Sequence, residues 1–160
     1  MTGAIDKMKD ELWDMERKAA ALPWANLRKW TFATHVWEEQ EMLVVDLHDL
    51  NVKLAKQVLK KTCQLASQMD YGCICFVTGQ GNKSEGKPKI RPMAIEIVGE
   101  ISEKKGWRIS SGTQGRLSII LDEDRAPASV TSKLSKTVVL GMYIFFGLIL
   151  FLLLRGVFTV

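Results

Sequence analysis

The chain has 160 residues, 47% of them hydrophobic and 25% charged, with a formal net charge of +4. This composition excludes a disordered chain and gives room for one ordinary domain with appendages. The small positive excess suits a polyanionic partner without requiring one.

Residues 1–22 predict a helix, because Ile5, Met8, Leu12, Met15, Ala19 and Leu22 recur at spacings of three and four. The stripe is too short for a coiled coil, so it predicts packing against a domain. This charged beginning is not a secretory signal peptide. Pro23 ends the helix. Trp24, Trp30, Phe32 and Trp37 follow in a less regular stretch with Arg28 and Lys29 between them. Interleaved aromatic and basic residues can stack on bases, but packing is the expectation here.

The run "MLVVD" (42–46) reads as a short strand of the buried type. Asn51 is a good N-cap for a helix whose inward face carries Ala55, Val58, Leu59, Thr62, Ala66 and Met69. Lys53, Lys56, Lys60 and Lys61 form its solvated face. "YGCICFVTG" is the next strand. The three cysteines, Cys63, Cys73 and Cys75, are odd in number and lack a CxxC spacing. They read as buried thiols in a reducing compartment, not as metal or redox groups.

A glycine-rich basic loop, "GQGNKSEGKPKIR", comes next. Pro92 suits the first turn of a helix running to about Lys105. Lys104 and Lys105 complement its C-terminal dipole, and Gly106 is its stop. "WRISS", a turn at 112–115 and "RLSIILD" read as two final strands. The order β-α-β-α-β-β predicts a two-layer α/β sandwich with at least one parallel pair joined by a crossover helix.

"DEDRAPASVTSKLSK" (122–136) has small-residue patches and no apolar period, and reads as a tether. From Thr137 to Leu154 there is no charge. At about 1.5 Å per residue, such a helix nearly crosses a hydrocarbon core of about 30 Å. Arg155 can snorkel to the far headgroups. Arg125, Lys133 and Lys136 on the near side predict that the preceding domain stays in the cytoplasm. The expected organisation is a helical, Trp-rich extension (1–41), an α/β domain (42–122), a linker (123–136) and a C-terminal membrane anchor (137–160).

Asp46 and His48 stand two apart at the end of the first domain strand, so both point to one face. In parallel α/β arrangements, ligands bind at the carboxyl ends of strands. The Thr78–Gly79 step ends the neighbouring strand. Gly79 and Gly81 allow successive N–H groups to face one anion, and Lys83, Lys87, Lys89 and Arg91 add positive charge. Ser84 stands where a Walker A loop needs its second glycine, and the dinucleotide fingerprint fits poorly. The combination suggests a phosphodiester backbone lying across the strand ends. One aspartate and one histidine are too few to claim a metal site, and no cofactor is implied.

At this point a resemblance is specific. "VVDLHDLNVKLAKQVL" is similar to the Asp-Leu-His-Gly-Leu opening of the Smr (small MutS-related) domain. "FVTGQGNKSEGKPKIRPMAIEIV" resembles that family's second motif, Thr/Val-Gly-x-Gly-x-His-Ser, and "GTQGRLSIIL" its glycine-rich turn and final strand. The resemblance covers about 42–122. It implies a fold like the C-terminal domain of bacterial translation initiation factor three. It also implies nucleic-acid binding and, in many members, endonuclease activity. Carried over by position, Asp46 and His48 would be the catalytic pair. Thr78, Gly79, Gly81, Lys83 and Ser84 would belong to the substrate loop. Asp49 departs from the family's glycine, and Lys83 stands where many members have histidine. A lysine keeps a cationic phosphate contact but shuttles protons poorly near pH 7. His35, the other histidine, receives no assignment.

The expected activity is RNA cleavage, with His48 as the base for a ribose 2′-hydroxyl; DNA is the less favoured substrate. One alternative is a membrane-tethered module that binds RNA, DNA or a ribosome without catalysis. The other is a membrane scaffold using the Trp-rich region. The oligomeric state is left open.

Overall fold

The structure is a computed structural model and describes residues 2–66, 68, 71–79, 88–110 and 115–131. Its elements are α1 (Thr2–Ala19), α2 (Phe32–His35), β1 (Val36–Glu39), β2 (Met42–Asp46), α3 (Val52–Ala66), β3 (Cys73–Val77), α4 (Ile90–Lys105), β4 (Arg108–Ser110) and β5 (Arg116–Ile120). The strands form one mixed sheet in the order β1-β2-β3-β5-β4. Among the described strands, β2 and β3 run parallel, joined through α3, and the other pairs are antiparallel. The expected succession of strands and helices from Met42 onward is present. The predicted anchor (137–160) lies outside the described residues. Among the described residues, no helix is long and apolar enough to cross a membrane.

Strand alternation divides the core. Leu43, Val45, Ile74, Phe76, Leu117 and Ile119 face the helices and are buried with Met8 and Leu12 of α1, Val58 and Leu59 of α3, and Ala94 and Val98 of α4. The predicted stripe of α1 therefore does pack inward, and the helix lies against α3. The Glu11–Lys61 ion pair at 2.6 Å joins the two helices. Asn51 caps α3 by accepting from Leu54 N–H at 2.8 Å. Gly106, at φ 68°, ends α4 in the left-handed conformation, and its N–H donates to the Ser102 carbonyl.

The opposite sheet face buries Met42, Val44, Cys73 and Cys75 beneath Trp37, Val77, Ala126 and Val130. The stretch read as a tether thus begins, through Thr131, as a cover for this face. Its entry depends on Gly72. The Gly72 carbonyl accepts from the N–H groups of Leu121 and Asp122. A Cβ at this position would lie 2.3 Å from the Arg125 carbonyl carbon and 2.5 Å from Ala126 N. All three thiols are buried and free. Burial pushes Cys63 and Cys73 up to about 12 and raises Cys75 as well, so the thiols stay protonated and unreactive.

Two elements differ from the sequence reading, the short α2 and the strand β1. Trp37 belongs not to an irregular stretch but to β1, which pairs antiparallel with β2 from Met42 to Val45. The hairpin closes on Glu39 and Met42 with Gln40 and Glu41 at φ 50° and 63°. Two consecutive left-handed residues make a type I′ turn, whose twist matches the flanking strands. Such turns favour Asn-Gly, and Gln-Glu gives no hairpin signal.

Two outcomes follow from these backbones. The double change Gln40→Asn with Glu41→Gly should stabilise the protein by about 1–2 kcal/mol in urea unfolding, since left-handed backbone is costly for side chains other than Asn and Gly. An unchanged or lower midpoint would contradict the turn. Gly72→Ala should destabilise by about 1–3 kcal/mol, because the atoms met are backbone and cannot rotate aside. A neutral result would mean that the segment after β5 does not cross Gly72.

Candidate functional site

The site forms where β2 and β3 end side by side. Asp46 pairs with Val77, and the parallel ladder continues one step as Leu47 N–H donates to the Val77 carbonyl at 2.8 Å. That extra bond carries His48 level with Gly79. Gly79 sits at φ 71°, and a Cβ there would reach the His48 Cβ at 3.4 Å. The glycine thus permits both a left-handed step and close passage of the second strand end.

Asp46 and His48 meet as expected from their spacing. Asp46 Oδ1 accepts from the His48 backbone N–H at 3.0 Å and lies 2.5 Å from His48 Nδ1. The first bond turns the chain out of the strand, and the second fixes the ring plane. The Asp46 side chain is 12% exposed, whereas that of His48 is 45% exposed. A buried carboxylate therefore holds an imidazole that still reaches solvent. With Asp46 ionised, Nδ1 carries the proton that it shares with the carboxylate, and Nε2 is the reactive nitrogen.

The other predicted residues divide into three groups. Thr78 adjoins the pair, but its N–H and hydroxyl both donate to the Gly115 carbonyl, at 2.7 and 3.1 Å. Its donors brace the β5 turn and do not point to a ligand. Lys89 is exposed at the entry to α4, and Arg91 in its first turn donates to the Arg116 carbonyl at 3.4 Å. Since Arg116 is level with Val77 and Asp46, Arg91 stands at the same sheet end. Gly81, Lys83, Ser84 and Lys87 lie outside the described residues.

Four further residues join the site that the sequence reading names without assigning them to it. The buried Trp30 indole donates to the Asp46 carbonyl at 2.7 Å, and the Trp24 indole to the Asp49 carbonyl at 3.0 Å. Asp49 Oδ2 lies 3.2 Å from His48 Nε2 and 3.3 Å from Nε2 of His35. The His35 ring, buried beside Trp30, is 5.9 Å from that of His48 between centroids. The only available signal was that the chain's two histidines and its Trp cluster flank one acidic turn. Their meeting is a long-range contact that periodicity does not encode. Among the described residues, no three His, Cys, Asp or Glu side chains converge as a metal site.

Comparison with protein-family models, with characterised proteins and with solved structures finds no match to this chain.

From the site's end of the sheet, Arg116 makes an ion pair with Glu39, which stands at the hairpin level with Met42. Arg116 reaches Glu39 through two bonds of 3.1 and 3.2 Å, and its guanidinium holds the Glu39 carboxyl below the ordinary value. A carboxyl with a lowered folded pKa stabilises above its unfolded pKa and loses that contribution as pH falls through the folded value. Glu39→Gln should therefore lower stability at neutral pH and flatten the acid limb of the stability curve below about pH 4.5. An unaltered acid limb in denaturant melts from pH 7 to 3 would remove the pair from the account.

Proposed function

We propose that the chain is a membrane-tethered nucleic-acid-binding protein of Smr type that cleaves RNA phosphodiester bonds at the paired ends of β2 and β3. The observation carrying this reading is the Asp46–His48 dyad: a buried carboxylate on Nδ1 of a half-exposed imidazole, beside the left-handed Gly79. The succession β2-α3-β3-α4-β4-β5 supports the narrower resemblance to the C-terminal domain of translation initiation factor three. The 137–160 segment is proposed as the anchor, with the domain on the cytoplasmic side.

In this mechanism His48 Nε2 takes the proton of a ribose 2′-hydroxyl, and the oxygen attacks the adjacent phosphorus. The O2′–P bond forms as the P–O5′ bond breaks. The proton held by His48 then passes to the departing O5′, directly or through water. Asp46 keeps the ring in place and stabilises the imidazolium formed during transfer. The backbone at Gly79, the proposed loop residues Gly81, Lys83, Ser84 and Lys87, and the cations Lys89 and Arg91 would receive the charge on the phosphate oxygens. RNA is favoured because this scheme uses its own 2′-hydroxyl as nucleophile. On DNA, water would have to attack, and a metal ion would be the expected aid.

A second reading, a tethered module that holds RNA or a ribosome without cutting, is favoured by Asp49. Its carboxylate adds negative charge beside Nε2, where a phosphate would approach.

Incubating the full chain with labelled RNA and DNA, with and without a chelator, separates the two. RNA should be cut to a cyclic phosphate end in the presence of chelator. Asp46→Ala and His48→Ala should each slow cleavage by about 10²–10⁴-fold. Their affinity for RNA should change far less, because the lost interactions act in the transition state. No cleavage, with binding that weakens steeply as salt rises, would hand the case to the binding module. Absence of both would overturn both readings.

A further inference from the structure

We infer that His35 and Asp49, contributed by the segment before β1 and by the turn after β2, form a second carboxylate–histidine pair that positions the imidazolium formed when His48 takes a proton on Nε2, so that the site includes the N-terminal region. This inference rests on the cleavage reading for its catalytic consequence, but its geometry stands separately. Asp49 Oδ2 lies between the two imidazoles, 3.3 Å from His35 Nε2 and 3.2 Å from His48 Nε2. A carboxylate oxygen can only accept, so the 3.3 Å bond requires a proton on His35 Nε2. Nδ1 of His35 faces both kinds of partner, the Thr31 carbonyl at 3.1 Å among them. Thr31 N–H lies at 3.2 Å and the Thr34 hydroxyl at 2.7 Å. What the network requires is the Nε2 proton, which Asp49 Oδ2 accepts whether or not Nδ1 is also protonated.

The burial gradient gives the pair a direction. The His35 side chain is 9% exposed and cannot meet a substrate, that of Asp49 is 12% exposed, and that of His48 is 45% exposed. His35 acts on His48 only through Asp49, as a positioning residue. The Asp49 backbone is fixed separately by the Trp24 indole. What His35 adds is control of the Asp49 side-chain rotamer, which would otherwise be free to turn toward water. When His48 takes a proton on Nε2, its imidazolium then faces Asp46 on one side and Asp49 on the other.

The chain's only histidines are His35 and His48, so the side-chain nitrogen spectrum of the ¹⁵N-labelled full chain contains just two rings. Asp49→Asn and His35→Ala should both move the His48 ring signals. His35→Gln, whose amide can donate from nearly the same position, should keep them close to the parent. In RNA cleavage, the first two variants should lower kcat by up to about 100-fold through misplacement, with KM much less affected. His35→Gln should recover most of that loss. If His35→Ala does not fold, the nearly isosteric Asp49→Asn carries the test. His48 ring signals unchanged in Asp49→Asn, or faster cleavage by Asp49→Gly than by the parent, would overturn the inference. A parent chain that cuts no RNA while the ring signals move as expected would sink the cleavage reading and leave the positioning role in place.

Discussion

Everything at the functional end of the molecule depends on how the chain leaves β2. A strand that ends inside a protein must find partners for backbone groups that the ladder no longer satisfies. Here one side of the Asp46–Asp49 turn is held by β3, through Leu47 N–H and the Val77 carbonyl. The other side is held by two indoles, Trp30 on the Asp46 carbonyl and Trp24 on the Asp49 carbonyl. Losing the Trp30 donor would strand a buried carbonyl, at a cost of about 1–3 kcal/mol. The turn is consequently rigid, and Asp46 can place His48 without spending conformational entropy when a ligand arrives.

Through this arrangement the aromatic segment and the α/β unit share one buried core. Trp30 is almost completely buried and shares the core with α1, α3 and the inner sheet face. Glu16 of α1 accepts from Phe32 N–H at 3.0 Å, which ties the first helix to α2. β1 then extends the sheet beyond β2. The opposite face is closed more thinly, by Ala126 and Val130 over Met42, Val44, Cys73 and Cys75. Gly72 permits that closure by letting two backbones pass in contact.

Local chemistry made much of this legible. The three-and-four spacing of α1, the Asn51 cap, the Gly106 stop and the apolar runs of β2, β3 and β5 each express a rule acting over a few residues. The Asp46–His48 meeting was equally local, being a two-residue spacing at a strand end. What the sequence hid was long-range or chemically atypical. β1 escaped because Gln40–Glu41 adopts left-handed backbone without a turn-forming residue. The cover at 123–131 escaped because two small apolar side chains suffice over a flat face and leave no period. His35 escaped because its partner is fourteen residues away, across a hairpin. Asp49, which reads as a departure from a motif, acquires a partner only in three dimensions.

The central claim is that the sheet end holding Asp46, His48 and Gly79 takes a phosphodiester backbone. The most direct measurement is an amide-resolved NMR titration of the full chain with a short oligoribonucleotide at low and high salt. The account predicts shifts centred on His48, Thr78 and Gly79, extending to Arg91, sparing the outer face of α1, and fading as salt rises. Shifts confined to α1 or to the face covered by Ala126 and Val130, with none at His48 and Gly79, would contradict it.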